Sequence, residues 1–321
     1  MTLQTKAIGH ILLDPVYRLK GRIANVIGTA RLVGWWFRNT TAADLVNLLR
    51  GHVTAWILAA RNRKHYTTIE KSGLLATKNT SRVFVFGSGY SLNDLSEAEW
   101  ENIRKFDCIG FNGAFHLDKV PFKYFLLRAG YETVQGVLDW RPYAEYALSK
   151  ISCNPQLSKT TFLFPQGLTS SFTNRLIAYR MWDPGRPIFQ YLTDRISRRP
   201  NLNLDEGLVQ RMGTLCTVIS FAVTMGYKEI VLIGVDLYDN RYFWVPDNKT
   251  VNWSSEAKRE IPSDATCRGI LASEPHNTVN NGVISIIADW KTYLNMKFGI
   301  AISVYNAKSL LASHVPVFHW D

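Results

Sequence analysis

The chain has 321 residues, 46% of them hydrophobic, 12% aromatic and 20% charged, and it carries a formal net charge of +11. That composition excludes a disordered chain and is enough for one large or two modest domains with a real core. Four scattered cysteines (Cys108, Cys153, Cys216, Cys267) without a CxxC pair argue against a disulfide frame or a zinc site, and they read as reduced, buried thiols of a cytosolic protein.

Residues 1–80 hold 12 Lys/Arg against three acids, net +9, whereas the other 241 residues hold 25 against 23, net +2. The basicity therefore belongs to an N-terminal region. Its pattern predicts helices: Ile23, Val26, Ile27, Ala30, Leu32, Val33 and Trp35–Trp36 cluster among Arg18, Lys20, Arg22, Arg31 and Arg38. A second segment, Leu45 to Ala60, is apolar nearly throughout and is followed by Arg61-Asn-Arg-Lys64, cations that suit a helix C-terminus. Two readings stand side by side: basic amphipathic helices resting on anionic lipid, or a helical subdomain packed on the core with a solvated basic face. The run Val53–Ala60 is far shorter than the ~20 residues that cross a bilayer, and the N-terminus lacks the apolar stretch of a secretory signal. A soluble or peripheral protein is expected.

From Arg82 the pattern switches to short buried strands separated by helices. Arg82–Phe86 reads as a strand and is broken at once by Gly87-Ser-Gly-Tyr-Ser91. Ser96-Glu-Ala-Glu99 has the form of a capping box opening a helix through about Lys105. Strands are predicted at Cys108–Phe111, ending at Asn112-Gly113, and at Lys123–Leu127. The stretch 140–205 carries no clear period. Leu208 to Met225 predicts a buried helix stopped by Gly226, and Glu229–Gly234 predicts the clearest strand. A polar, aromatic-rich loop from Asp236 to about Pro275 precedes a final helix at about Asn280–Phe298 and a strand at Ile300–Val304. Alternating strands and helices imply an α/β fold with a mainly parallel sheet flanked by helices.

Polar residues fall where such sheets bind ligands, at the carboxyl ends of strands. Gly87, Ser88, Gly89 and Ser91 follow the first strand, Asn112 the second, and Asp236, Tyr238 and Tyr242 follow the best one; Gly213 and Thr214 lie near the start of the long buried helix. The glycine turn lacks the third glycine of GxGxxG and has no Walker lysine, so dinucleotide and P-loop binding are disfavoured. His276, in a polar loop before the last helix, is a candidate general base because imidazole titrates near neutral pH. His314 and His319 compete with it. No D-x-D, HExxH or Cys/His cluster points to a metal.

Together these stretches resemble the bacterial CMP-sialic-acid-dependent sialyltransferases of glycosyltransferase family 42, which modify lipooligosaccharides. Arg211-Met-Gly-Thr, then Met225-Gly-Tyr-Lys-Glu-Ile-Val-Leu-Ile-Gly-Val-Asp-Leu-Tyr-Asp-Asn240, are similar to the family's R-x-T-S-G and GYKEI-x-L-x-G-x-D-x-Y-x-N. Val85–Leu92 stands for its G-N-G-P-S-L and Lys308-Ser-Leu-Leu-Ala312 for its N-S-L-L-A. The resemblance touches most of residues 82–315 and is strong over about thirty.

It implies a GT-A-like nucleotide-binding domain over residues 81–321 with a lid at about 241–275, and an inverting transfer that needs no metal or other cofactor. His276 would be the base on the acceptor hydroxyl, and Tyr238 and Tyr242 would donate hydrogen bonds to the leaving phosphate. Gly87, Ser88, Gly89, Ser91, Asn112, Arg128, Gly213, Thr214 and Asp236 would hold the donor. Ser88, Tyr90 and Thr214 replace the family's Asn, Pro and Ser, and Arg128 stands where it has another donor-contacting Asn. Another CMP-linked keto-sugar acid such as Kdo, or a non-catalytic glycan- or membrane-binding protein, remains as an alternative. The expected partners are a CMP-sugar, a lipid-linked glycan acceptor and an anionic membrane surface met by residues 1–80, at the cytoplasmic face of the inner membrane. Nucleic acid is not expected, and a homo-oligomer is left open.

Overall fold

The computed structural model describes residues 42–127, 140–167, 170–238, 242–244 and 282–320, with the single positions 19, 22, 23, 26, 27, 30, 34 and 279. Seven helices of more than one turn occur among them: α1 Ala42–Asn62, α2 Lys71–Ala76, α3 Glu97–Ile103, α4 Trp140–Cys153, α5 Ser171–Ala178, α6 Gly213–Thr224 and α7 Val283–Phe298. The strands are β1 Arg82–Phe86, β2 Asp107–Phe111, β3 Tyr124–Leu126, β4 Thr161–Pro165, β5 Ile188–Tyr191, β6 Thr193–Asp194, β7 Leu208–Val209, β8 Glu229–Ile233 and β9 Ala301–Val304.

Seven strands form one sheet in the order β5-β4-β3-β2-β1-β8-β9, and every pairing in it is parallel. Strand side chains alternate between two cores, as a sheet covered on both faces requires. Val83, Val85, Ile230 and Leu232 pack with α6 and α7, whereas Phe84, Phe86, Val231 and Ile233 pack with α3, α4 and α5. Both edges are covered, which removes the unpaired backbone that invites aggregation. Residues 67–69 bond along β5 (Ile69 N–H to Ile188 O 2.9 Å, Ile188 N–H to Thr67 O 2.9 Å), and residues 316–318 bond along β9 (Val304 N–H to Pro316 O 2.9 Å, Phe318 N–H to Val304 O 2.8 Å).

Local chemistry accounts for several boundaries. The capping box at α3 is formed in both directions: Glu99 N–H donates to Ser96 Oγ at 3.3 Å and Ser96 N–H to Glu99 Oε2 at 2.9 Å. Gly226 (φ +76°) closes the turn after α6, and Gly299 (φ +62°) stops α7.

Three expectations need correction. Leu208–Val209 is a short strand paired with Thr193–Asp194, not the start of the long helix, which begins five residues later at Gly213. Gly213 has φ +70°, a conformation no helix interior accommodates, and Met212 is therefore exposed at the N-cap rather than inward. Cys153 is exposed, while Cys108 and Cys216 are buried free thiols.

The structure also places part of the basic region against the sheet. α1 packs on α5 through Ala55 and Ala59, and Asn62 Nδ2 donates to Ala178 O at 2.9 Å. Among the described residues no helix is long and apolar enough to cross a membrane.

Candidate functional site

From β1 the chain winds outward through β2, β3, β4 and β5, then returns to lay β8 and β9 on the other side of β1. The helices that follow β1 and β8, α3 and α7, pack in different cores on opposite faces of the sheet, so the carboxyl edge between these two strands is the topological switch point where open parallel sheets bind ligands. A helix joining parallel strands runs antiparallel to them, so α6 and α7 point their N-termini at this same edge.

The β1 and β8 loops lie in contact. Gly87 N–H donates to Ile233 O at 2.9 Å and Gly89 N–H to Gly234 O at 2.8 Å. A Cβ on Gly87 would sit 2.4 Å from Gly234 O, and one on Gly89 2.5 Å from Asp236 Oδ2. The space these glycines leave is thus filled by the neighbouring loop. Asp236 is 2% exposed; its carboxylate accepts from Ser91 N–H at 2.8 Å, from the Ser91 hydroxyl, and from Asn306 Nδ2 at 3.3 Å. Ser91 and Asp236 are consequently engaged with each other. Asn306 Nδ2 also reaches the Tyr238 hydroxyl at 3.5 Å, and Ser309 Oγ donates to Val235 O at 2.7 Å. The segment after β9 thereby braces the β8 loop.

Asn112, directly after β2, has φ +50°, a left-handed conformation that Asn tolerates better than most residues. Its Oδ1 is buried and has no hydrogen-bond partner among the described residues. An unsatisfied buried acceptor in a native fold calls for a partner, and here a ligand N–H or O–H at the carboxyl edge would supply one.

Residues 242–244 connect the β1 and β2 loops. Tyr242 pairs antiparallel with Gly89, Phe243 N–H donates to Ser88 O at 3.3 Å, and Asn93 Nδ2 donates to Phe243 O at 3.0 Å. The Trp244 ring stacks on Tyr242 (4.7 Å, 13°) on one side and on His116 (4.3 Å, 18°) on the other. It occupies the space beside Gly113, where a Cβ would lie 2.1 Å from the indole. His116 exchanges a hydrogen bond with the Tyr146 hydroxyl at 2.9 Å. Burial, with Lys150 nearby, depresses its imidazole to about 3, so it is neutral at physiological pH. Burial also raises the Tyr242 phenol above its ordinary range, which keeps it a proton-bearing donor.

Gly213 and Thr214 open α6, whose N-cap Met212 makes no side-chain cap bond, and the positive dipole end of this helix points toward the sheet edge. The structure thus brings Gly87, Ser88, Gly89, Ser91, Asp236, Tyr238 and Tyr242 together at the β1/β8 edge. Trp244 links this edge to Gly113 and His116 of the β2 loop, the loop that Asn112 opens. His276 and Arg128 lie outside the described residues, as does all of segment 241–275 except residues 242–244. Among the described residues no group of three or more His, Cys, Asp or Glu is placed to hold a metal ion. His116, Trp244 and Asn306 are site residues that sequence reasoning missed.

The fold is distantly similar to solved sialyltransferase structures. One is the sialyltransferase CST-II in complex with trisaccharide acceptor and CMP, at 16% identity over 74% of this chain and 85% of that chain, TM-score 0.42. Another is a mutant of alpha-2,3/8-sialyltransferase CstII, at 16% identity over 74% and 86%, TM-score 0.41. No protein-family profile matches the chain, and no curated protein sequence does.

Proposed function

We propose that this chain is an inverting glycosyltransferase that moves sialic acid from CMP-sialic acid to a hydroxyl of a glycan acceptor. The observation that carries the reading is the buried, unpartnered Oδ1 of Asn112, at the sheet edge where the resemblance puts the donor. Tyr242, kept protonated by burial, stacks on Trp244, which fills the space beside the neighbouring Gly113.

In the proposed reaction the acceptor oxygen attacks the anomeric carbon and its proton passes to the His276 imidazole. The bond from that carbon to the phosphate oxygen breaks, and CMP leaves with the electron pair. The Tyr238 and Tyr242 hydroxyls donate to the phosphate oxygens as this charge develops, the role a metal ion has in other transferases. The N–H groups at Gly213 and Thr214 suit an anionic donor group, and Arg128 suits a carboxylate or phosphate. Ser88 completes the donor loop. Ser91 and Asp236 act one step removed, by fixing that loop. Segment 241–275 is proposed as a lid that excludes water from a hydrolysable donor. The acceptor is proposed to be lipid-linked, and the protein to work at the cytoplasmic face of the inner membrane.

The test is a calorimetric titration with CMP, UDP and GDP, followed by transfer from CMP-sialic acid. CMP alone among the three is expected to bind, and His276→Ala to abolish transfer while leaving CMP affinity within about twofold. A wild-type chain that binds no CMP and neither transfers nor hydrolyses the donor overturns the reading. Turnover of CMP-Kdo in place of CMP-sialic acid redirects it to the other sugar acid.

A further inference from the structure

We propose that the outward face of α1 docks on an anionic phospholipid surface, so that α1 holds the protein core with one face and the membrane with the other. The inference rests on the membrane address proposed for the basic region, and it is independent of the transfer chemistry.

The inward face is settled by contact. His52, Ala55 and Ala59 are buried, and Asn62 and Tyr66 hydrogen-bond to Ala178 O and Ile177 O at 2.9 and 3.4 Å. The opposite face should then be polar if water were its only neighbour. It is not. Val46 (63% exposed), Val53 (39%) and Ile57 (40%) project from it and Trp56 (45%) from its flank, with the exposed cations Arg50 and Arg61 beside them and Lys64 in the turn that follows. Helical positions nearer the N-terminus repeat the pattern, with Leu19, Ile23, Val26 and Ile27 exposed at i, i+4, i+7, i+8 spacing next to exposed Arg22. Among the described residues these eight are most of the exposed large apolar side chains; the others, such as Leu75, Leu202 and Met296, are scattered. Scattered ones need no explanation, whereas a stripe does.

Charge selects the occupant. Between Pro15 and Ile69 the sequence has nine Lys/Arg and a single acid, Asp44. A second copy docking through this face would set cations against their own kind. Nucleic acid would engage the cations but leave valine, isoleucine and tryptophan without an apolar partner. A bilayer with anionic headgroups satisfies both at once: aliphatic side chains enter the acyl boundary, the indole sits at the headgroup level, and the cations meet phosphate. A helix of 21 residues, about 31 Å long, lying flat suits this, since it is not apolar enough to cross.

The test uses the full chain with phosphatidylcholine vesicles, with and without phosphatidylglycerol. Co-sedimentation is expected with the anionic vesicles only. Arg50→Gln should weaken partitioning about fivefold, and Val53→Ser with Ile57→Ser at least about tenfold. Brominated acyl chains should quench tryptophan emission, and Trp56→Phe should remove that quenched component. All these substitutions are of exposed groups, so the melting temperature without vesicles should stay unchanged. Equal binding to neutral vesicles, no binding at all, or variants that sediment like wild type would overturn the proposal. So would a lipid-free dimer or a DNA complex that the Val53/Ile57 variant abolishes. CMP titration of the same variant in vesicle-free buffer separates this proposal from the transferase reading, since either result can fail alone.

Discussion

The carboxylate of Asp236 accepts hydrogen bonds from both the backbone N–H and the hydroxyl of Ser91, a residue 145 positions earlier in the chain. That pair ties the loop after β1 to the loop after β8, across the line where the sheet's winding reverses. Removing Asp236 leaves the buried Ser91 N–H and hydroxyl without their acceptor, whereas removing the Ser91 hydroxyl leaves the N–H bond intact. Asp236→Ala is expected to cost about 3 kcal/mol and Ser91→Ala about 1 kcal/mol. The difference is read from urea midpoints at unchanged m-value. In calorimetry the first variant should lose CMP binding, while the second keeps it within a few-fold.

Trp244 and Gly113 share one volume, because a Cβ at 113 would stand 2.1 Å from the indole. Gly113→Ala alone should therefore cost about 1–3 kcal/mol by overpacking. In a Trp244→Ala background the same substitution should be close to neutral. The non-additivity of this double-mutant cycle, measured by urea unfolding, is the specific signature. Additive costs would show that the ring does not occupy that space.

His116 is held near 3 against an ordinary 6.5, chiefly by burial. The unfolded chain takes up its proton near pH 6.5, and the folded chain only near 3. Its contribution to stability is thus fully present above about 6.5 and declines as pH falls toward about 3. His116→Phe, which keeps a ring for the Trp244 stack, should reduce the acid-side slope of unfolding free energy by up to about 1.4 kcal/mol per pH unit. A near-neutral limb in the transfer rate should survive in that variant, because the proposed base is His276. Loss of the limb in the His116 variant would instead make His116 the titrating base.

The Tyr242 phenol, raised above its ordinary range by burial, keeps its proton and remains a donor at physiological pH. Tyr242→Phe keeps the stack on Trp244 and removes only the hydroxyl. It should lower kcat about a hundredfold with little change in the donor KM, the pattern of a group that acts on the developing charge. A change in KM alone would assign the ring to donor binding.

The elements that could be read from sequence are those whose signals are local. β1 and β8 are continuous apolar runs after a leading Arg82 and Glu229 because both of their faces are covered, and α3 opens on a capping box that forms as expected. The carboxyl-edge positions of Gly87–Ser91, Asn112 and Asp236 follow from that alternation. The failures are nonlocal. Leu208–Val209 has helical spacing with α6, and only Gly213, with φ +70°, marks the break between them. The β6–β7 pair needs Thr193 and Leu208 to meet, which no period within either segment reveals. His116, Trp244 and Asn306 owe their places to contacts with loops that are distant in sequence. The one local hint was Gly113, a glycine after Asn112 whose missing side chain makes room for an indole. That residues 67–69 of the basic region bond along the β5 edge is likewise a contact between distant segments that no local pattern announces.

β1 lies inside the sheet, but its two neighbours are made at different times. β2 follows it within about twenty residues, whereas β8 begins at Glu229. On the ribosome, β1 therefore waits on the order of ten seconds with one side unpaired. Its exposed segment during that interval is Val83-Phe-Val-Phe86, an apolar, β-prone run of the kind that pairs with other chains. A nascent chain halted before β8 should accordingly be a chaperone client, and the closing of the switch point marks its release.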